Sequence, residues 1–186
     1  MNHQRTILIR YDEIGLKGQN RKYFEKILLK NIKRALPGDK GIVYRIPRGR
    51  IMLDLSESVA TACADQLSFI PGIASYSVGT SVNPDFDEMA ALGVQWIEPL
   101  LKPGETLRFC VRARRSAKTF PATSPEINFE VGSRIMSRLG EKGLVVDIKN
   151  SDFTLEIEVG NNEIIMFDNR HPGLCGLPVG SSGDIL

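Results

Sequence analysis

The sequence predicts an α+β protein of the α/β-sandwich kind. Short β-branched runs of strand length alternate with amphipathic runs of helical length along most of the chain. Pro-Gly pairs at positions 37, 71 and 103 end successive runs. The chain of 186 residues is long enough for one large domain or two small ones, and the order of the elements favours two.

Residues 1–82 predict six elements in the order βαββαβ. They are a strand at 6–11, a helix capped by Asn20, strands at 42–46 and 51–55, a helix capped by Ser56 or Ser58, and a strand at 74–82. The two central strands form a hairpin through residues 47–50. This order is that of the ferredoxin-like split βαβ fold, in which helices cover one face of an antiparallel sheet.

Residues 83–168 predict a second α/β unit. It comprises a helix capped by Asn83 or Asp85, a strand at 106–113, a helix with Ser124 as N-cap that runs to about Leu139, and strands at 145–148, 153–159 and 164–167. The remaining residues are rich in Gly, Pro and Ser, as linkers are. We therefore expect domains at 1–82 and 83–168 and a linker at 169–186.

Composition argues against several protein classes. No run approaches the roughly 18 apolar residues of a membrane span, so a cytoplasmic protein without membrane contact is expected. Cys63, Cys110 and Cys175 lack C-x-x-C spacing, which argues against a structural metal; the first two are expected to be buried and the third exposed. Hydrolase and metalloprotease motifs are missing, and Glu156 and Glu158 are interpreted as a solvated strand surface.

The charge is segregated although the formal net charge is only +2. Residues 1–50 hold thirteen Lys or Arg against four Asp or Glu, and residues 101–150 hold ten against five. Residues 51–100 contain seven acids and no Lys or Arg. The two basic blocks predict a surface that neutralises phosphates, and solvated faces without a partner are the alternative.

The most conspicuous basic cluster joins a predicted strand to a predicted helix. Its sequence is Arg112-Ala113-Arg114-Arg115-Ser116-Ala117-Lys118-Thr119-Phe120-Pro121. Arginine forks bind phosphates bidentately, Lys118 adds a point charge, and Phe120 is a candidate for stacking on an unpaired base. The amides at Ser124 to Glu126 attract anions, but Glu126 and Glu130 would either compete with a phosphate or orient the arginines. Solubilising charge is the alternative interpretation.

A second candidate is the segment at 13–21. Gly15 and Gly18 permit close approach of the backbone, and Lys17 and Arg21 flank the start of a helix. The spacing is not that of a Walker loop, so nucleotide hydrolysis is not supported.

Four motifs follow one another along the chain. The first is Arg10-Tyr11-x-Glu13-Ile14-x-Leu16-Lys17-Gly18-x-Asn20-Arg21-x-x-Phe24-Glu25. The second and third are Val111-Arg112-Ala113-x-Arg115-x-x-Lys118-x-Phe120-Pro121 and Ser124-x-Glu126-Ile127-Asn128-x-Glu130-Val131-Gly132. The last is Gly176-Leu177-Pro178-Val179-Gly180-x-Ser182-Gly183. Together they resemble the front part of ThiI-type tRNA 4-thiouridine synthetases, or tRNA sulfurtransferases; the second and third are similar to their THUMP domain.

This resemblance implies a ferredoxin-like domain and a THUMP domain that together hold the acceptor arm and 3′ end of tRNA. It adds to the residue-level argument a set of RNA-binding candidates: Lys17, Asn20, Arg21, Arg112, Arg114, Arg115, Lys118, Phe120, Ser124 and Asn128. In the family a PP-loop domain follows, which uses ATP and Mg²⁺ to adenylate a tRNA uridine. Sulfur then arrives from a cysteine desulfurase, and a related branch supports thiamine synthesis.

The sequence also departs from the family. The S-G-G-x-D-S pyrophosphate loop does not occur before Leu186, so this chain alone is expected to bind tRNA without a cofactor and without catalysis. Asp12 and Cys175 stand where the family commonly has glycine. Three hypotheses stay open: an RNA-binding partner of a separate PP-loop protein, a fragment whose PP-loop domain follows, and a docking module that uses residues 51–100 to bind a catalytic partner or a second copy.

Overall fold

The computed structural model describes residues 4–36, 41–47, 49–115, 120–160, 163–168 and 170–181. They form two compact units. The first contains the residues up to Val78 together with those from Arg170 onward, and the second contains those from Gly79 to 168. Helices and a mixed sheet make up both, so the predicted α+β class is confirmed. No helix in the described ranges combines the length and apolar character that crossing a membrane requires.

The first unit has the predicted ferredoxin-like order. Its elements are β1 (Gln4–Arg10), α1 (Arg21–Ala35), β2 (Val43–Arg45), β3 (Arg50–Ser56), α2 (Glu57–Leu67), the first half of β4 (Ser75–Val82) and β9 (His171–Pro172). The strand order is β2-β3-β1-β4, and β1 runs antiparallel to β3. The short strand β9 pairs with β4. The ferredoxin-like expectation is therefore confirmed.

The core of the first unit lies between its sheet and its two helices. Ile7 and Ile9 project from one face of β1 because alternate residues of a strand share a face. Leu28 and Ile32, one helical turn apart on α1, are fully buried against them. Cys63 of α2 is also fully buried, as expected, and burial raises the pKa of its thiol.

The start of α1 differs in detail from the expectation. Asn20 occupies the N-cap position, but its side chain makes no capping hydrogen bond. Two short 3₁₀ turns, Glu13–Leu16 and Gly18–Asn20, lead into the helix, and Gly18 has φ of 52°. A residue already in helical conformation, with φ −80° and ψ −4°, does not direct its side chain back to the first amides as an extended N-cap does.

The segment predicted as a linker packs on the first unit over its described residues 170–181. Three main-chain hydrogen bonds hold it to the turn before β4: Gly173 N to Ala74 O at 3.0 Å, Cys175 N to Ile73 O at 2.8 Å, and Gly72 N to Cys175 O at 2.8 Å. Pro178 is buried. The glycines and prolines of residues 170–181 thus allow the backbone to approach the first unit closely instead of forming a freely moving linker.

The second unit is a mixed sheet with two helices on one face. Its elements are the second half of β4, α3 (Phe86–Ile97), β5 (Leu107–Arg115), α4 (Ser124–Leu139), β6 (Leu144–Val146), β7 (Phe153–Val159) and β8 (Ile164–Phe167). The order is β4-β8-β7-β5-β6, in which β5 runs parallel to β6 and β7. The apolar residues Phe109, Ile127 and Ile135 lie in the core between the sheet and the helices.

Side-chain hydrogen bonds cap both helices in this unit. Asp85 caps α3 and accepts the N–H of Glu88 at 2.8 Å. Thr123, rather than the expected Ser124, is the N-cap of α4, because Thr123 is the extended residue and Ser124 is already helical. Thr123 and Glu126 form a reciprocal capping box.

Candidate nucleic-acid interface

The second half of β5 carries three arginines toward its carboxyl end. Arg112 and Arg114 project from the sheet face opposite α4, since the alternate residues Val111 and Ala113 pack on the core. Both guanidinium groups are exposed, and neither forms an ion pair with any described residue. The guanidinium of Arg112 donates to the carbonyl of Ile148 at 3.0 Å. These two positive charges are therefore available to an anionic ligand.

Arg115 differs from its two neighbours. It is half-buried, and its guanidinium donates to the carbonyl of Phe120 at 2.8 Å. Its Nε is buried and finds no acceptor within the described residues. Arg115 thus links the end of β5 to the residue at the far side of the loop. Lys118, predicted as a phosphate contact, lies outside the described residues.

Phe120 is packed rather than freely presented. Its ring lies edge-to-face on Phe86 with the ring centroids 5.5 Å apart, and the guanidinium of Arg134 lies over Phe86. The ring is half-buried. Stacking of Phe120 on a base stays a prediction, because it requires a face of the ring that Phe86 does not cover.

The acidic residues at the start of α4 have partners of their own. Hydrogen bonds from the backbone and hydroxyl of Thr123 lower the pKa of Glu126. Glu130 pairs with Arg134. The charge of Arg115 lowers the pKa of Glu126 further, so Glu126 also interacts with one arginine of β5. Ser124 is the first helical residue, next to this capping box.

Asn128 ties α4 to β5. Its side-chain oxygen accepts the N–H of Ala113 at 2.7 Å. This contact satisfies a strand amide that has no neighbouring strand on that side, since β6 ends at Val146, opposite Phe109. Asn128 therefore positions the strand that carries Arg112 and Arg114.

A groove of about 870 Å³ lies between α4 and the open edge of β5. It is mainly apolar, and it includes two large exposed side chains, Phe129 at 71% and Ile148 at 70% exposure. Arg112 and Asn128 lie on its border. Neither Phe129 nor Ile148 is among the site residues predicted from the sequence. Phe129 could have been found, because it falls off the buried stripe of α4 formed by Ile127, Val131 and Ile135.

Glu156 corrects another sequence-based interpretation. It is only 6% exposed, so the expectation that Glu156 and Glu158 form a solvated strand surface is wrong for Glu156. Glu156 lies in the middle of β7, between β5 and β8, where its register partners are Arg112 and Phe167. Directly paired residues of neighbouring strands share a sheet face, so the side chains of Arg112 and Phe167 flank Glu156 on both sides and cover it. Glu158 is half-buried.

The predicted site residues of the first unit form a separate cluster. Arg21 pairs with Glu25 at 2.9 Å and donates to the hydroxyl of Tyr11 at 3.2 Å. Burial, followed by the hydrogen bond to Glu25, raises the pKa of Tyr11 to about 12. The ammonium of Lys17 lies 5.5 Å from the ring centroid of Phe24, and Asn20 is exposed. Arg21 thus has an internal structural role.

The exposed face of α1 forms a cationic row. Its exposed members are Lys22, Lys26, Lys30, Lys33 and Arg34. The ammonium of Lys33 lies 4.6 Å from the ring centroid of Tyr44. Spacings of three and four residues place successive charges along one side of a helix, so the row can follow a polyanionic backbone.

Comparison with known proteins assigns both units. Residues 6–77 match the ThiI ferredoxin-like domain, and residues 83–168 match the THUMP domain. The chain therefore contains a ThiI ferredoxin-like domain followed by a THUMP domain. The resemblance noted from the motifs is thereby confirmed, and the second unit is a THUMP domain.

Curated relatives extend the ThiI match over nearly the whole chain. A probable tRNA sulfurtransferase of Thermotoga maritima is 36% identical over 183 residues, which are 98% of this chain and 45% of that protein. That of Methanocaldococcus jannaschii is 37% identical over 188 residues, covering 97% and 48%. The chain thus spans about half the length of the curated relatives it matches.

Two solved structures share this fold. A 4-thiouridine synthetase in complex with RNA and bound ATP is 36% identical, with a TM-score of 0.74 over 96% of this chain and 44% of that one. PH1313 from Pyrococcus horikoshii is 32% identical, with a TM-score of 0.74 over 95% and 57%.

Proposed function

We propose that this chain is a tRNA-binding module that recognises the acceptor arm, and that it places the single-stranded 3′ end in the groove between α4 and β5. The observation that carries the proposal is an apolar groove that exposes Phe129 and is bordered by the exposed guanidinium group of Arg112, with the exposed Arg114 two residues further along β5. Unpaired nucleotides need both features, since their phosphates seek cations and their bases seek stacking surfaces.

The cationic row of α1 supports contact with the duplex part of the acceptor arm. Its charges lie on a regular helix and can neutralise phosphates without reading bases. The THUMP match and the RNA complex of a 36% identical synthetase support the same ligand class.

We further propose that this RNA-binding part serves a tRNA sulfur-transfer system. In this proposal a PP-loop domain, on the same or another polypeptide, uses ATP and Mg²⁺, receives sulfur by way of a cysteine desulfurase, and acts on the tRNA held here in the cytoplasm. The names of the relatives and the ATP in the related RNA complex support it. The chain itself contributes RNA binding rather than catalysis.

Binding of two acceptor-stem minihelices tests the function. One carries a single-stranded 3′ overhang and the other is the same duplex with a blunt end. We expect tighter binding of the overhang RNA, with log affinity falling linearly with log salt. Equal affinity for both RNAs would contradict recognition of the 3′ end, and equal affinity for an unrelated hairpin would contradict a tRNA-specific module.

Charge variants test which cations bind. Arg114→Gln is expected to reduce the salt slope for the overhang RNA by about 0.7, the value for one phosphate of a single strand. Lys102→Gln is the matched control: it removes one positive charge from the same unit, and its exposed ion pair with Glu105 lies outside the groove. An equal effect of both variants would show that only net charge matters.

A further inference from the structure

Strand β5 has an open main-chain edge beyond the end of β6. The N–H and C=O of one strand residue point to the same edge, and successive residues alternate. Leu107 N binds Gly143 O, and Phe109 O accepts from Asp147 N, so the odd-numbered residues of β5 face away from β7. Because β6 ends opposite Phe109, Val111 and Ala113 face no strand on that side among the residues described.

A side chain closes part of this open edge. Asn128 accepts the N–H of Ala113. The N–H and C=O of Val111 have no such partner within the described part of the chain. Val111 lines the groove between α4 and β5 together with Asn128 and Phe129. The groove thus offers one donor and one acceptor side by side next to an exposed aromatic ring.

We propose that the main chain of Val111 hydrogen-bonds the edge of an unpaired base whose ring packs on Phe129. This inference rests on the proposed function and gives the groove its recognition mode. Every base has a donor and an acceptor adjacent on its Watson–Crick edge, so the contact selects unpaired bases rather than one sequence. A base within a duplex already uses its Watson–Crick edge to hydrogen-bond the opposite base.

The charges beside the groove favour RNA over an extended peptide as the occupant. A peptide strand could also pair with an open edge. Arg112 borders the groove, and Arg114 projects from the same sheet face two residues further along β5. No acidic residue lines the groove within the described ranges. Arg112 at the border of a groove whose described lining contains no carboxylate suits a ligand with one phosphate per nucleotide.

The experiment removes the donor while keeping the strand. Val111→Pro deletes an N–H that the ladder to β7 does not use, a position where a strand tolerates proline. Val111→Ala is the matched control, since it shortens the side chain and keeps the N–H. We expect Val111→Pro to bind the overhang minihelix about tenfold more weakly than Val111→Ala, and both to bind the blunt minihelix equally.

Amide hydrogen exchange of the unmutated chain gives a second readout that does not depend on the proline variant folding. The Val111 N–H is expected to be protected by the overhang minihelix and not by the blunt one. If the overhang RNA binds more tightly but Val111 stays unprotected and the two variants bind alike, the inference is wrong and the proposed function stands. Lack of any overhang preference would overturn the function itself. Protection by an acidic peptide but not by RNA would assign the edge to a protein partner.

Discussion

The side-chain oxygen of Asn128 on α4 accepts the N–H of Ala113 on β5 at 2.7 Å. Asn128→Ala would leave this half-buried amide without its acceptor, and we expect a loss of about 1 kcal/mol in the free energy of unfolding. The strand edge beside the groove would also lose its fixed position, so affinity for the overhang RNA should fall. Denaturant unfolding and RNA titration measure the two effects.

Asn128→Asp is the control for this contact. A carboxylate keeps an acceptor at the same position, so stability at neutral pH should stay closer to that of the parent than in Asn128→Ala. The new negative charge beside Arg112 should still weaken RNA binding. Equal stability of the two variants would show that the hydrogen bond does not hold β5.

The pairing of Asp152 with Arg108 predicts that the fold loses stability in acid. Two hydrogen bonds from the side chain of Arg108 and one from its backbone lower the pKa of Asp152 to about 2. A lowered pKa in the folded state stabilises the fold above the unfolded value of about 3.9, and this contribution is lost as pH falls from there through about 2. Asp152→Asn should therefore melt lower than the parent at pH 7, and the difference should vanish near pH 2. A difference that does not change with pH would contradict the pairing.

The close contact at Gly173 predicts that residues 170–181 contribute to the stability of the first unit. A Cβ at this position would lie 2.3 Å from the carbonyl oxygen of Ile73, which belongs to the backbone and cannot turn away. Gly173→Ala should destabilise the first unit by about 1–3 kcal/mol. Gly15→Ala is the control, because a methyl group added at Gly15 would meet no described atom within 4 Å. If both variants unfold at the same denaturant concentration, residues 170–181 do not contribute to the stability of this unit.

Cys175 carries a conformation suited to glycine. Its φ of 59° is the one positive value of a non-glycine residue in the ranges described. The left-handed region costs an ordinary residue about 1–2 kcal/mol, of which the larger entropy of unfolded glycine offsets about 0.4–1. Cys175→Gly should therefore be more stable by up to about 1.6 kcal/mol, whereas Cys175→Ala should leave stability unchanged. A clear loss of stability in the glycine variant would show that the thiol contributes a favourable contact.

Much of the fold follows from local pattern. The run around Ile7 and the helical spacing of Leu28 and Ile32 predict their elements, because apolar periodicity reports directly on the buried face. The N-cap of α4 lies one residue before the predicted Ser124: Thr123 and Ser124 are both good caps, and only the backbone conformation distinguishes them. The packing of residues 170–181 could not be predicted, because their partner turn at Gly72–Ala74 is about a hundred residues away in sequence.

The candidate site is less accessible to sequence reasoning. The charge pattern identifies Arg112 and Arg114 as candidates. It does not show that Arg21 is held internally by Glu25 and Tyr11. The groove exists because β6 ends opposite Phe109. An open main-chain edge of this kind requires no particular side chains, so the sequence does not indicate it. The exposed Phe129 was the one signal available, as an aromatic residue outside the buried stripe of its helix.

The route of the chain through β4 and β9 has a consequence for folding during synthesis. Ser75 and Tyr76 acquire their partners Pro172 and His171 only after the whole second unit has been made. Once Gly79 pairs with Phe167, the two ends of the second unit are already together, and the entropy of closing that loop has been lost. The first unit therefore cannot be completed before residues 171–172 have been made, and a folded THUMP domain lowers the entropic cost of that last pairing.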